Sequence, residues 1–283
     1  MSASKAVLIT GCSTGIGRAT AERLASAGFT VYATARRPES ISDLEAKGCR
    51  TLALDVTDDA SMTAAVAAVE EAEGAVGALV NNAGYSQSGA VESVNLDDIR
   101  VQFDTNVFGL IRMSQLVLPG MREQRWGRIV NVGSMGGKLT FPGGGIYHAT
   151  KYAVEAISDA MRFEVKGFGV DVVLIEPGLI RTEFAAAAVG ALATGTGDEA
   201  GPYAEFNQAV AASTVGAYEG PAAKLGGGPD SVAKAIEKAI GSRRPKARYP
   251  VTASAWVGMG QRALFTDRMW DAFVGTQFRQ PRG

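Results

Sequence analysis

The sequence has little of what metal centres and disulfide-based folds require. Its 283 residues contain one histidine, His148, and two cysteines, Cys12 and Cys49, which lack the paired spacing of a zinc site or a disulfide framework. We therefore expect no metal ion and no disulfide. The 28 lysines and arginines nearly balance the 29 acidic residues, so the net charge of −1 gives no electrostatic reason to expect a nucleic-acid partner.

Long apolar runs are also missing. Gly, Arg or Asp interrupts each run well before the roughly 20 residues that a membrane-spanning helix needs. Residues 1–5 precede the first apolar run and lack the charged and apolar regions of a signal peptide. We therefore expect a cytoplasmic protein without a membrane span. The hydrophobic content of 46% is ample for one well-buried core.

Short apolar runs alternate with helical patterns along the chain. The runs predict strands at Ala6–Ile9, Phe29–Ala33, Arg50–Leu54, Ala78–Val80, Arg128–Val132, Val170–Ile175 and Tyr249–Val251. Helices are predicted at Ile16–Ala27, Asp59–Ala72, Leu96–Gln124 (in more than one piece), Tyr147–Lys166, Asp230–Ile240 and Thr266–Val274. Continuous apolar strands separated by helices indicate an α/β fold with a doubly wound parallel sheet of the Rossmann type, which binds ligands at the carboxyl ends of its strands.

The chain has no second glycine-rich turn and no internal repeat, so we expect residues 1–283 to form a single domain. Residues 184–228 differ in texture from the rest, because they are rich in Ala, Gly and Thr and show weak periodicity. We predict that this segment is an insertion that forms a lid over the active-site edge.

A glycine-rich turn, Thr10–Gly17, directly follows the first predicted strand and opens the first helix. Glycine lets the backbone turn sharply and come close to a pyrophosphate, and the N-terminus of the helix presents N–H groups to the anion. The position of this Gly-x-x-x-Gly-x-Gly motif between a strand and a helix predicts a dinucleotide site.

Three side chains suggest acid–base chemistry. A tyrosine has an ordinary pKa near 10, and a nearby ammonium group stabilises its anion. Tyr147 and Lys151 are four residues apart on a predicted helix and therefore share one face. Ser134 lies at the end of a predicted strand, where its hydroxyl is available to a substrate oxygen. This set predicts proton transfer at a carbonyl.

These motifs together resemble the short-chain dehydrogenase/reductase family. The resemblance runs from Lys5 to Thr182 and follows the order of the family motifs. Those motifs are Thr10–Gly17, Asn81–Gly84, Asn106, Ser134, Tyr147–Lys151, Pro177-Gly178 and Thr182. The family is one of oxidoreductases that transfer a hydride between a nicotinamide cofactor and an alcohol/ketone pair.

The resemblance implies a role for each catalytic position. Tyr147 is the general acid in reduction and the general base in oxidation. Lys151 lowers the pKa of that tyrosine and holds the nicotinamide ribose. Ser134 orients the substrate carbonyl, and Asn106 fixes a water that links Lys151 to solvent. An asparagine in a helix also accommodates a local kink, so this last role has a structural alternative.

The resemblance also implies a set of cofactor-binding residues. They are Gly11, Ser13, Thr14, Gly15, Ile16, Gly17, Arg36, Asp55, Val56, Asn82, Ala83, Gly84, Tyr147, Lys151, Pro177, Gly178, Ile180 and Thr182. Two of them have structural alternatives, since Asp55 and Thr182 are also suitable helix caps. His148 is interpreted as a structural or substrate-rim residue rather than a catalytic one.

The end of the second strand indicates the preferred cofactor. Enzymes that bind NAD place a carboxylate there for the ribose hydroxyl, whereas those that bind NADP place a cation for the 2′-phosphate. Ala35 stands where the family's NAD enzymes usually carry Asp, and Arg36 follows it. Because Thr14 stands where one family variant has a base, Arg36 has to provide the preference. We expect NADP, because no acid is present here; the alternative is that Arg36 and Arg37 are a solvated pair at the end of the strand.

The expected activity is NADP-dependent interconversion of a lipophilic ketone and a secondary alcohol by a homodimer or homotetramer. A 3-oxoacyl thioester reductase and a catalytically silent NADP-binding regulator are the alternatives. The apolar residues expected to line the substrate pocket, or else to pack the lid onto the core, are Leu139, Phe141, Ile146, Leu179, Phe184, Tyr203 and Phe206.

Overall fold

A single seven-stranded parallel sheet organises the molecule. The computed structural model describes residues 3–183, 190, 201–278 and 280. The strands are β1 (Val7–Ile9), β2 (Val31–Ala35), β3 (Cys49–Ala53), β4 (Ala78–Asn81), β5 (Gly127–Val132), β6 (Val170–Pro177) and β7 (Arg248–Val251). Their order in the sheet is β3-β2-β1-β4-β5-β6-β7, with every neighbouring pair parallel. The predicted single-domain Rossmann-type fold is therefore confirmed.

Helices cover both faces of this sheet. They are α1 (Gly15–Ser26), α2 (Asp59–Glu73), α3 (Leu96–Phe103), α4 (Gly109–Glu123), α5 (Gly145–Glu164), α6 (Ala204–Glu219), α7 (Pro229–Gly241), α8 (Ala253–Leu264) and α9 (Asp267–Gly275). Successive strand residues point to opposite faces of the sheet, and the helices bury the side chains on both faces. Ile9 packs with Leu24 of α1 and Ile236 of α7, whereas Leu8 packs on the other face with Met113 of α4.

Several predicted boundaries differ from the structure. The second strand begins at Val31 rather than Phe29, because Gly28, at φ +85°, extends the turn after α1 and Phe29 N–H still donates to Leu24 O. The predicted helix Leu96–Gln124 is interrupted by a π-helical turn at Asp104–Phe108. The hydrophobic periodicity of the sequence did not indicate α8. Its apolar side chains do not all face the core, since Trp256 and Val257 are exposed.

The predicted lid is described in part. Residues 184–189 and 191–200, including the candidate pocket residue Phe184, lie outside the described residues. The remainder contains α6, which the weak periodicity did not indicate because Val210 is the buried residue of this helix. Val210 packs against Gly143, where an added Cβ would lie 2.5 Å from its Cγ1. Tyr203, just before α6, donates a hydrogen bond to Glu92 Oε2 at 2.5 Å. These contacts fix α6 against the loops that precede α3 and α5.

Two expectations from the sequence concern membrane-spanning helices and metal sites. Across residues 3–183 and 201–278, no helix is both long enough and apolar enough to cross a membrane. The same part of the chain contains no group of three or more His, Cys, Asp or Glu side chains arranged to hold a metal ion.

Candidate active site

The glycine-rich turn brings the start of α1 against the end of β4. Gly11 has φ +72°, and Asn82 Nδ2 donates to the carbonyl oxygens of both Thr10 and Gly11 at 2.9 Å. A Cβ on Gly17 would lie 2.2 Å from Gly11 O and 2.5 Å from Asn82 Nδ2. Ala83 also lies close to the turn, since its Cα would be 3.0 Å from a Cβ on Gly11. The turn is thus a close-packed backbone cradle with no room for side chains.

The N-terminus of α1 fits an anionic group. Its cap residue, Thr14, makes no side-chain capping hydrogen bond within the described chain, so the first amides of the helix are available to a ligand. Thr14 and Ser13 are exposed, whereas Ile16 packs partly against the core. These features match a dinucleotide pyrophosphate at a helix N-terminus.

The segment that follows β6 reaches the same cradle. Gly178 follows β6, and its N–H donates to Val251 O at 3.0 Å. A Cβ on Gly178 would lie 2.3 Å from Ser254 Oγ, so this position also requires glycine. Ile180 is buried, and the Thr182 methyl group would lie 3.4 Å from a Cβ on Gly15. Pro177 to Thr182 therefore reaches the cradle, and its role in binding the cofactor stays a prediction.

An arginine follows β2 directly, whereas an aspartate lies two residues after β3. Ala35 is buried, and Arg36 is exposed with no hydrogen bond or ion pair to any other described residue. Asp55 Oδ1 accepts from both the N–H and the hydroxyl of Thr57. The cap of α2 is Asp58, so the alternative that Asp55 caps this helix is wrong. Val56 contributes to the core beside α2.

The catalytic candidates meet where β5 ends and α5 begins. Ser134 has extended backbone, and its Oγ accepts from Gly136 N–H at 3.0 Å. Lys151 is buried, and its Nζ donates to Val132 O at 2.9 Å. The same Nζ lies 5.8 Å from the centroid of the Tyr147 ring. All three side chains thus lie at the carboxyl end of β5.

Burial governs the ionisation of this group. It raises the pKa of Tyr147 to about 12, although a hydrogen bond with Ser134 opposes the rise. Burial also lowers the pKa of Lys151 to about 8, since an ammonium group loses hydration there. At neutral pH the phenol is therefore protonated, and the lysine is still largely charged.

A further phenol, which the sequence pattern did not indicate, lies near this group. The negative charge of an ionised Tyr218, on α6, would contribute to the raised pKa of Tyr147. Tyr218 itself has a raised pKa because of burial. Such coupling places Tyr218 within electrostatic range of Tyr147. No motif marks Tyr218, because its proximity depends on how α6 packs.

Asn106 lies at the centre of the π-helical turn. Its Nδ2 donates to Tyr85 O and Thr150 Oγ1, and its Oδ1 accepts from Tyr85 N–H. Its Oδ1 is also 3.0 Å from where a Cβ on Gly84 would lie. Asn106 thus joins the loop after β4 to the residue next to Lys151, and the helix is irregular at this position, since Asn106 lies in the π-helical turn. Its role in holding a water stays a prediction.

The candidate pocket residues divide into two groups. Leu139 is fully buried and would be 3.1 Å from a Cβ on Gly258 of α8, while Phe141 packs against Trp270 of α9. These two side chains pack against helices outside 184–228, so the contacts differ from the packing of the lid that the sequence offered as the alternative. Tyr203 and Phe206 form an edge-on pair at the start of α6 and remain candidates.

Comparison with known proteins gives the family. The family model described as short chain dehydrogenase matches residues 5–191. The uncharacterized oxidoreductase YbbO of Escherichia coli K12 is 34% identical over 271 residues, which cover 95% of this chain and 94% of the relative. The NADPH-dependent 3-dehydrocapnine reductase of Ornithobacterium rhinotracheale is 33% identical, with coverage of 93% and 94%. A 3-ketodihydrosphingosine reductase of Bacteroides thetaiotaomicron is 40% identical, with coverage of 63% and 65%.

Solved structures agree with this result. A short-chain dehydrogenase from Streptomyces avermitilis is 32% identical, with a TM-score of 0.74 over 92% of this chain and 93% of that one. The closed form of a serine dehydrogenase complexed with NADP+ is 28% identical, with the same TM-score over 87% and 93%. A Burkholderia phymatum enzyme in complex with NAD is 27% identical, with a TM-score of 0.77 over 99% and 97%. The chain belongs to the short-chain dehydrogenase/reductase family of oxidoreductases.

Proposed function

We propose that the protein is an NADP-dependent oxidoreductase that transfers a hydride between nicotinamide and a lipophilic ketone or secondary alcohol. The convergence of Ser134, Tyr147 and Lys151 at one end of β5, beside the glycine cradle, is the observation that carries this proposal. A regulator that only bound the cofactor would have no use for this group. Bound NADPH supplies the hydride in reduction.

The three side chains divide the proton transfer among them. Because Ser134 Oγ accepts from Gly136 N–H, its own proton is available to a substrate oxygen or to Tyr147. The protonated phenol of Tyr147 donates to the carbonyl oxygen as negative charge develops there. The Lys151 ammonium stabilises the phenolate that remains, and its buried position strengthens that effect. The protonated phenol is the form that reduction requires, and two relatives are named as reductases.

The proposed substrate is a ketone with a large apolar body. The pair Tyr203 and Phe206 and the half-buried Tyr218 give α6 aromatic side chains, and Tyr218 lies within electrostatic range of Tyr147. We propose that α6 covers the substrate, because the contacts of Val210 and Tyr203 hold this helix against the loops that precede α3 and α5. Burial of apolar area contributes about 25 cal/mol per Å², which is enough to bind such a body.

A substrate panel tests the proposal. We expect NADPH oxidation with lipophilic ketones, and a higher kcat/KM for them than for hydrophilic sugars or 3-oxoacyl thioesters. A preference for thioesters would favour the 3-oxoacyl reductase alternative over the lipophilic substrate. NADPH binding without turnover of any ketone or alcohol would instead favour the silent regulator.

The cofactor preference depends on the end of β2. We expect the double substitution Ala35→Asp and Arg36→Ala to reverse the preference from NADPH to NADH. Arg36 is exposed and lacks a partner among the described residues, so its guanidinium is available to a 2′-phosphate. A charge-assisted phosphate contact contributes about 1.5–3 kcal/mol, so wild-type NADPH should bind about tenfold to a hundredfold more tightly than NADH.

Fluorescence titration of both cofactors measures this difference. Arg37→Ala is the matched control, since Arg37 is the neighbouring exposed arginine and is expected to leave the ratio of the two affinities unchanged. Equal affinities of the wild type for NADPH and NADH would contradict the assignment of Arg36.

A further inference from the structure

The Ser134 hydroxyl depends on one neighbouring peptide for its position. Its Oγ accepts from Gly136 N–H at 3.0 Å and caps the short 3-10 turn Met135–Gly137. This bond occupies a lone pair of Oγ and leaves the hydroxyl proton for a substrate oxygen or for Tyr147. A shift of the Gly136 peptide would therefore move the hydroxyl.

His148 contacts the carbonyl group of the same residue, which belongs to the next peptide group. Its Nδ1 lies 3.0 Å from Gly136 O. A Cβ on Gly136 would lie 2.5 Å from Nδ1, so the imidazole sits directly over the glycine. Gly136 thus links the serine hydroxyl to a side chain on α5, because its N–H donates to Ser134 and its carbonyl oxygen lies at His148.

The imidazole itself is fixed on all sides. It is 8% exposed and contacts the rings of Tyr147 and Phe141 with centroid distances of 5.6 and 6.3 Å. A Cβ on Gly144 would lie 2.9 Å from Nε2. Burial lowers the pKa of His148, so the ring is neutral at pH 7. Because a carbonyl oxygen only accepts hydrogen bonds, Nδ1 carries the single ring proton.

We propose that His148 is a positioning residue, which acts through the backbone of Gly136 to set where the Ser134 hydroxyl lies relative to Tyr147. This inference rests on the proposed function of the site. His148 directly follows Tyr147 in α5, so one hydrogen bond ties the helix that carries the proton donor to the turn that carries the serine. The histidine does not touch the reacting atoms, and its imidazole transfers no proton.

Two substitutions separate this role from simple packing. Asn places its amide nitrogen near the position of Nδ1, whereas Gln places it nearer Nε2, and both remove the ring contacts. We expect His148→Asn to keep kcat within about threefold of the wild type and His148→Gln to lower it about tenfold to a hundredfold, as expected for a displaced catalytic group. NADPH affinity, measured by fluorescence, should be the same for both variants. Equal losses of kcat, or a larger loss with Asn, would overturn the proposal.

A double-mutant cycle tests whether the effect passes through the serine. In a Ser134→Ala background the Asn and Gln variants should have equal kcat, because there is no longer a hydroxyl to position. A difference that persisted in this background would show that His148 acts independently of Ser134.

A spectroscopic measurement keeps the inference testable without turnover. His148 is the only histidine, so nitrogen NMR of the imidazole gives one unambiguous pair of signals. We expect the Nδ1-protonated tautomer at pH 7. The Nε2-protonated tautomer would overturn the inference, whereas a lack of turnover of every ketone would count only against the proposed function.

Discussion

Replacing Tyr147 with Phe is expected to lower kcat for ketone reduction by about 10²- to 10⁴-fold, the usual contribution of a positioned acid. The substitution removes the protonated hydroxyl that hydrogen-bonds with Ser134 and leaves the ring, which contacts His148. Cofactor affinity should change little, because the glycine cradle and the lysine are untouched. The measurement is kcat at saturating NADPH, together with the dissociation constant of NADPH from fluorescence.

Tyr152→Phe is the matched control. It removes the same hydroxyl group from the same helix, but Tyr152 is 43% exposed and plays no part in the proposed chemistry. We expect its kcat to equal that of the wild type. If Tyr147→Phe retained a substantial share of wild-type turnover at saturating cofactor, another group would have to be the proton donor.

The sheet and the cradle are predictable because local chemistry determines them. Leu8 and Ile9 are both fully buried, on opposite faces of β1, so the strand appears as a continuous apolar run. Gly17 allows no other residue, because backbone atoms of the preceding turn lie where a Cβ would be. Constraints of this kind act within a few residues, so they can be recognised as patterns in the sequence.

Features that depend on long-range packing cannot be recognised from such patterns. The bond between His148 and Gly136 spans 12 residues and needs only a histidine and a backbone carbonyl, which no motif identifies. Leu139 was a reasonable candidate for a substrate pocket, yet it packs under α8, a helix that the apolar pattern did not reveal. The proximity of Tyr218 to Tyr147 likewise depends on the docking of α6.

The topology explains why the candidate site assembles at one edge. In a parallel sheet all strands end on the same side, so the turn after β1, the segment after β4 and Ser134 after β5 face one cleft. Asn82 strengthens this arrangement, because it follows β4 and hydrogen-bonds to the carbonyls of the turn after β1. The cradle and the catalytic group therefore share one rigid frame.

Gly17→Ala should show how strongly function depends on that frame. The new Cβ would meet Gly11 O at 2.2 Å and Asn82 Nδ2 at 2.5 Å, so α1 or the turn has to move. Overpacking of this kind costs about 1–3 kcal/mol of the free energy of unfolding. Displaced helix amides would lose their contacts with the pyrophosphate, each contributing about 1.5–3 kcal/mol, so NADPH and NADH affinities should both fall about a hundredfold or more.

Gly241→Ala separates this effect from that of any added methyl group. Gly241 ends α7, and no described atom lies within 4 Å of where its Cβ would be. Alanine favours helix over glycine by up to about 1 kcal/mol, so this control should keep or raise stability and bind both cofactors normally. Denaturant unfolding gives the stability of each variant, and fluorescence titration gives its cofactor affinities.

Normal cofactor affinity in Gly17→Ala would mean that the pyrophosphate does not lie against the start of α1. An equal loss for both cofactors would place the damage at the shared pyrophosphate site, because a defect at Arg36 affects NADPH alone.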